Sequence, residues 1–204
     1  MERQLKIVAV GASAGGLDAL TEFFKGVPAG CRSSFLVIQH LSPDHESMMD
    51  ELLAPHAKLP IEEAAGDTTL LPGRIYLCPP GFIPEMEGME LKLHARPKTK
   101  ALSLPINTLF SSIARTIGSE AAAVVLSGTG SDGSEGVVNV AKNGGLVAVQ
   151  RPGSAEVSGM PQNAISTASP HIIAPAIEIW GLLERFAQNK EIDPAYQPRV
   201  SQDL

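Results

Sequence analysis

No apolar run in the sequence approaches the roughly eighteen residues needed to cross a bilayer, which excludes a helical membrane anchor. The segment after Met1-Glu2-Arg3-Gln4 is too short and too poorly flanked for a signal peptide. Cysteine is scarce as well. Cys31 and Cys78 form neither a C-x-x-C pair nor a metal-ligand spacing, so neither a disulfide framework nor a zinc site is expected. Two reduced, structural thiols in a cytoplasmic protein are the expectation. Long basic runs are missing too, and the formal net charge of −6 argues against a nucleic-acid groove. Internal repeats and low-complexity segments are absent. What remains is a chain of 204 residues, 44% hydrophobic and 19% charged, long enough for one domain with a substantial core.

That chain reads as alternating strands and helices. Leu5-Lys6-Ile7-Val8-Ala9-Val10 is rich in apolar and β-branched residues, as expected for a strand buried on both faces. A glycine-rich turn at 11–16 leads into a helical pattern with Leu17, Leu20, Phe23 and Phe24 on one face. A second strand, 35–39, ends on His40, and a helix is expected over 46–53. Short strands are expected at 61–65 and 74–78, and residues 82–94 read as a hairpin turning at Glu87-Gly88. An exposed loop follows at 95–104. Alternation then resumes, with a helical face made by Ile106, Leu109, Phe110, Ile113 and Ile117 and a strand at 121–127. A second glycine-rich turn at 128–133 opens a helix over 134–142, which Asn143-Gly144-Gly145 stops. A strand at 146–150, a short helix near Pro161, a strand at 172–173 and a helix over 176–186 complete the pattern. The expected fold class is α/β, a three-layer α/β/α arrangement with a mostly parallel, doubly wound sheet and a small antiparallel hairpin insert. Residues 1–187 form the expected domain, and 188–204, with Pro194 and Pro198, read as a polar tail or linker.

In open α/β sheets, ligands bind outside the carboxyl ends of the strands. Three such ends carry reactive groups. Ser13 lies in Gly11-x-Ser13-x-Gly15, a sharp strand-to-helix turn that lifts a hydroxyl clear of the backbone. The same turn also suits a phosphate site or a capping serine, and the turn alone does not decide between them. His40 ends the neighbouring strand, where a dinucleotide-binding domain would usually place an acidic residue. A histidine there can take the proton of a serine hydroxyl, which is a weak nucleophile without such help. Asp132, in the third turn, can orient that histidine, and it can equally cap the helix that follows it. Glu135 is the fallback carboxylate and His45 the competing base; His56, His94 and His171 have no comparable context.

Taken in order, these stretches resemble the catalytic domain of the chemotaxis protein-glutamate methylesterases of the CheB type. The similar residues are Val8-Ala9-Val10-Gly11-Ala12-Ser13-Ala14-Gly15-Gly16, Val37-Ile38-Gln39-His40, Gly73-Arg74-Ile75-Tyr76 and Leu126-Ser127-Gly128-Thr129-Gly130-Ser131-Asp132-Gly133. Gly144-Gly145, Val149-Gln150 and Gly159-Met160-Pro161 follow in the same order. The resemblance implies a cytoplasmic serine hydrolase with Ser13, His40 and Asp132 as catalytic residues and no metal or cofactor. It would cleave γ-glutamyl methyl esters on chemoreceptor helices and, in some relatives, deamidate glutamine there. Backbone N–H groups near Ala14 and Thr129 are the candidates for the oxyanion hole. Ala14 stands where the family often has threonine, and Thr129 where it often has methionine. The stretch from Gln39 to His45 resembles the version fused to methyltransferase and sensory modules. With a first strand so near Met1, control by a receiver domain ahead of it in the same chain is not expected. A catalytically silent module that binds receptor helices, and a nucleotide-binding domain, are the readings from other classes.

Overall fold

A computed structural model describes residues 4–39, 48–97 and 103–198. The chain opens with β1 (Ile7–Ala12), α1 (Gly16–Lys25), β2 (Ser34–Gln39) and α2 (Met49–Leu53). Then come β3 (Ile61–Glu63), β4 (Thr68–Thr69), β5 (Ile75–Leu77), β6 (Phe82–Glu87) and β7 (Glu90–Ala95). The second half runs α3 (Pro105–Ile117), β8 (Ala121–Val125), α4 (Ser134–Lys142), β9 (Leu146–Gln150), α5 (Gly159–Thr167), β10 (Ile172–Ala174) and α6 (Ala176–Ala187). Seven strands form one sheet in the order β10-β9-β8-β1-β2-β5-β3, and every pair in it is parallel.

The apolar runs are continuous because both sheet faces are covered, so strand residues of either parity are buried. Val8, Val10 and Ala12 point into a core shared with Phe23 and Phe24 of α1 and Trp180 and Leu183 of α6. Ile7 and Ala9 point the other way, towards Ile106 and Phe110 of α3, Val137 of α4 and Met160 of α5. The first core is tied by edge-to-face contacts of Phe35 with Phe23, Phe24 and Trp180. The result is the expected three-layer fold.

The hairpin of β6 and β7 does not extend the parallel sheet. It builds a separate antiparallel sheet with β4, in the order β4-β7-β6. A two-residue strand has no periodicity to read, so Thr68 and Thr69 gave no signal. The helix expected over 46–53 is described from Met49 to Leu53; residues 40–47 lie outside the described residues, as do 98–102 of the expected loop. Beyond α6, Ile192 and Tyr196 pack against the first core. Ile192 is buried, and the Arg151 guanidinium sits 5.5 Å from the centre of the Tyr196 ring.

Helices α3 and α4 cross with almost no space between them. A Cβ at Gly136 would stand 2.5 Å from Phe110 Cβ and 3.2 Å from the Asn107 backbone. Gly136 N–H also donates to Asn107 Oδ1 at 2.8 Å. Gly136→Ala is expected to destabilise the protein by about 1–3 kcal/mol, because the added methyl pushes two helices apart. A urea titration followed by circular dichroism reads that change; an unaltered midpoint would contradict it.

Strand order fixes where ligands can sit. From β1 the chain proceeds through β2 to one side of the sheet, whereas β8, β9 and β10 build the other side. The carboxyl edge between β1 and β8 is thus the switch point at which open α/β sheets open a crevice.

Candidate active site

Ser13 follows β1 at this switch point. Its N–H donates to Ser127 O at 2.9 Å, which joins the β1 turn to the chain leaving β8. Its own carbonyl accepts from Gly16 N at 2.8 Å and, more weakly, from Gln39 Nε2 at 3.5 Å. In a trans peptide the C=O and N–H point in opposite directions. With the Ser13 carbonyl held inward, the Ala14 N–H faces outward.

The same construction occurs across the crevice. Gly128 O accepts from Met160 N at 2.8 Å, so the N–H of Thr129 points away from that bond. A Cβ at Gly128 would lie 2.2 Å from Met160 Sδ and 2.9 Å from Ser13 Cβ, so only glycine lets this turn come up against the serine. Among the described residues, neither the Ala14 nor the Thr129 N–H has an acceptor, and both residues are exposed. Two free backbone donors therefore flank Ser13, itself 9% exposed; Ser127, fully buried, has no surface from which to react.

Gly15 makes the turn possible. Its φ of +65° is left-handed, and a Cβ there would stand 2.8 Å from Ser127 Oγ and from Glu156 Oε2. Gly15→Ala is expected to cost about 1–3 kcal/mol and to distort the serine turn. Chemical denaturation, with reactivity of Ser13 towards a serine-directed phosphonate, tests this; parental values in both would contradict it.

Asp132 lies beyond β8 and is buried. The sequence allowed it to cap the helix that follows, α4. The N-cap of α4 is Gly133, with no side-chain cap. Asp132 instead accepts from Ile106 N at 3.1 Å through Oδ2 and from Asn107 N at 2.9 Å through Oδ1. Those are the first N–H groups of α3, because Pro105 opens that helix and has none. A carboxylate at a helix N-terminus also meets the positive end of the dipole. Ile106 carries the link back to the serine strand, since its Cγ2 would lie 2.6 Å from a Cβ at Gly11 and 3.1 Å from one at Gly133.

His40 lies outside the described residues, as does His45. The strand leading to it is in register with β1, with Gln39 opposite Ala12. Glu135 is exposed. The other histidines serve elsewhere: His56 is exposed, His94 faces Glu85 at 3.7 Å, and His171 Nδ1 accepts from Val147 N at 3.1 Å. Burial pushes both thiols up, Cys78 to about 12, so both stay protonated. No group of three or more potential metal ligands occurs among the described residues, and no helix among them is long and apolar enough to cross a membrane.

A groove of about 550 Å³ borders the serine turn, with Gly15, Asp18, Glu22, Gln150, Glu156 and Ile177 among its walls. Ser127 and Gln150 were named in the sequence only as parts of matching stretches. Their signal was there, since each is a polar residue closing a fully apolar strand run, but nothing local tells what such a residue binds.

A family model described as CheB methylesterase matches residues 8–183. The chain belongs to the CheB methylesterase family. The crystal structure of the Thermotoga maritima CheB methylesterase catalytic domain superposes with a TM-score of 0.80 at 26% identity, covering 89% of this chain and 98% of that one. A protein-glutamate methylesterase/protein-glutamine glutaminase of Thiobacillus denitrificans is 31% identical over 191 residues, 91% of this chain and 53% of the relative. An uncharacterized 104.1 kDa protein of Rhodobacter capsulatus is 44% identical over 119 residues, 58% of this chain but 12% of that protein. The chain thus spans about half the length of the curated CheB methylesterases it matches and a small part of the larger relative.

Proposed function

We propose that this chain is the catalytic unit of a protein-glutamate methylesterase, with Ser13 as nucleophile, His40 as general base and acid, and Asp132 orienting the histidine. The observation that carries the reading is the pair of outward N–H groups of Ala14 and Thr129 on either side of Ser13. Such donors stabilise the oxyanion that forms when a hydroxyl attacks an ester carbonyl.

In this reading His40 takes the Ser13 proton as Oγ attacks the γ-carbonyl of a glutamyl methyl ester. The tetrahedral oxyanion is held by Ala14 and Thr129. Collapse expels methoxide, which leaves as methanol with the proton from His40, and an acyl-serine remains. Water, deprotonated by the same histidine, then releases glutamate and restores the hydroxyl. A glutamine amide would follow the same path and leave as ammonia, which fits the double name of the Thiobacillus denitrificans relative. The substrate is a methylated chemoreceptor or similar signalling protein, reached in the cytoplasm. The 104.1 kDa relative, most of which lies outside the matched region, supports work alongside fused modules.

The test is a receptor fragment carrying glutamyl methyl esters and glutamines, with methanol and ammonia followed separately. Methanol release is the expected result, together with a phosphonate adduct mapped to Ser13 by mass spectrometry. Stable binding of the fragment with neither release nor adduct would replace the esterase by a silent helix-binding module.

A further inference from the structure

We infer that Ser127 is a positioning residue whose buried hydroxyl locks the Ser13 turn and both oxyanion donors into one arrangement. The inference rests on the esterase reading for its kinetic consequence, but its geometry is independent of it. Ser127 is fully buried where the chain leaves β8, and four of its polar contacts reach three different segments. Its carbonyl accepts from Ser13 N at 2.9 Å. Its hydroxyl donates to Ala14 O at 2.8 Å and accepts from Val157 N at 3.0 Å. Its N–H donates to Gln150 Oε1 at 2.8 Å, and Gln150 Nε2 in turn donates to Ser154 O at 3.1 Å. Val157 O closes the ring by accepting from Gly128 N at 2.9 Å.

Beside the bonds that hold the Ser13 and Gly128 carbonyls, both donor segments are thereby tied to one oxygen atom. Ala14 is held on its N-terminal side by the Ser13 carbonyl bonds and on its C-terminal side by Ser127 Oγ. Thr129 is held because Gly128 N is bound to Val157, which Ser127 Oγ also grips. A hydroxyl can do this because it donates and accepts at once; an alanine leaves both Ala14 O and Val157 N without it. Oxyanion donors act only when they are fixed before the charge develops, so looseness here lowers kcat rather than substrate affinity.

The experiment compares the parent chain with Ser127→Ala and Ser127→Thr. The alanine variant is expected to lose about 10- to 100-fold in kcat with little change in KM. Threonine keeps the hydroxyl and is expected to restore most of the rate. An alanine variant within about twofold of the parent, or a threonine variant as slow as alanine, overturns the inference. Amide hydrogen exchange read by mass spectrometry does not depend on activity: Ser13 and Gly128 should exchange at least about tenfold faster in Ser127→Ala and at the parental rate in Ser127→Thr. Unchanged exchange in the alanine variant counts against the inference even if the parent releases no methanol, which would by itself remove only the esterase reading. If the alanine variant does not fold, Ser127→Cys, of similar shape but with weak hydrogen bonding, is read in its place with the same expectations.

Discussion

Ser13→Ala is expected to lower kcat for glutamyl methyl-ester hydrolysis by about 10⁴-fold or more while leaving the fold intact. The loss is large because the hydroxyl supplies the attacking atom and the leaving proton's path begins on it. It is not total. The N–H groups of Ala14 and Thr129 remain, and oxyanion donors with bound substrate sustain a residual rate of about 10³-fold over water. KM should change little, since the ester binds before any bond to Oγ forms. Stability should also hold to within about 0.5 kcal/mol, because among the described residues Ser13 Oγ makes no hydrogen bond and its Cβ, which packs beside Gly128, is kept. The fixed points of the turn are backbone groups, Ser13 N on Ser127 O and Gly16 N on Ser13 O, and alanine retains both. Steady-state methanol release and a thermal melt on the same preparation check both halves. Undiminished release in a folded variant would move the nucleophile elsewhere.

The sequence shows some of this architecture plainly and hides the rest for physical reasons. β1, β8 and β9 were legible because a strand buried on both faces is apolar at nearly every position, and each run is short and bounded by turn residues. The serine turn was legible because its glycines answer local demands: the left-handed φ at Gly15 and the 3.0 Å that would separate a Cβ at Gly16 from Ala12 Cβ. What connects one turn to another was not. The bond from Ser127 Oγ to Ala14 O spans 113 positions and rests on two residues that are common anywhere. Asp132 was read as the residue that orients His40, with a cap on the helix after it as the alternative; its bonds to the start of α3 were hidden, because a cap bound through space has the same local pattern as one bound through the chain. Pro105 held the missing clue. A helix opening on proline needs acceptors only from its second residue onward, and Asp132 supplies the first two.

That pair of hydrogen bonds makes Asp132 the second position of large effect, and its two tasks can be separated. Asp132→Ala is expected to lower stability by about 2 kcal/mol, as two helix-start N–H groups lose their acceptors in a buried setting. Asp132→Asn keeps one carbonyl oxygen for Ile106 or Asn107 and should recover about half of that loss. For catalysis the asparagine is no better than alanine, because an amide neither stabilises an imidazolium nor holds the histidine in the required tautomer. On the esterase reading, kcat is therefore expected to fall by about 10⁴-fold in Asp132→Asn. The comparison turns on how the two quantities move together. A residue that only capped α3 would give an asparagine variant intermediate in both stability and rate. A residue that also orients His40 gives intermediate stability with the rate already at its floor. Denaturant midpoints and kcat measured on the three proteins distinguish the two cases, and near-parental turnover in Asp132→Asn would leave Asp132 as a cap alone.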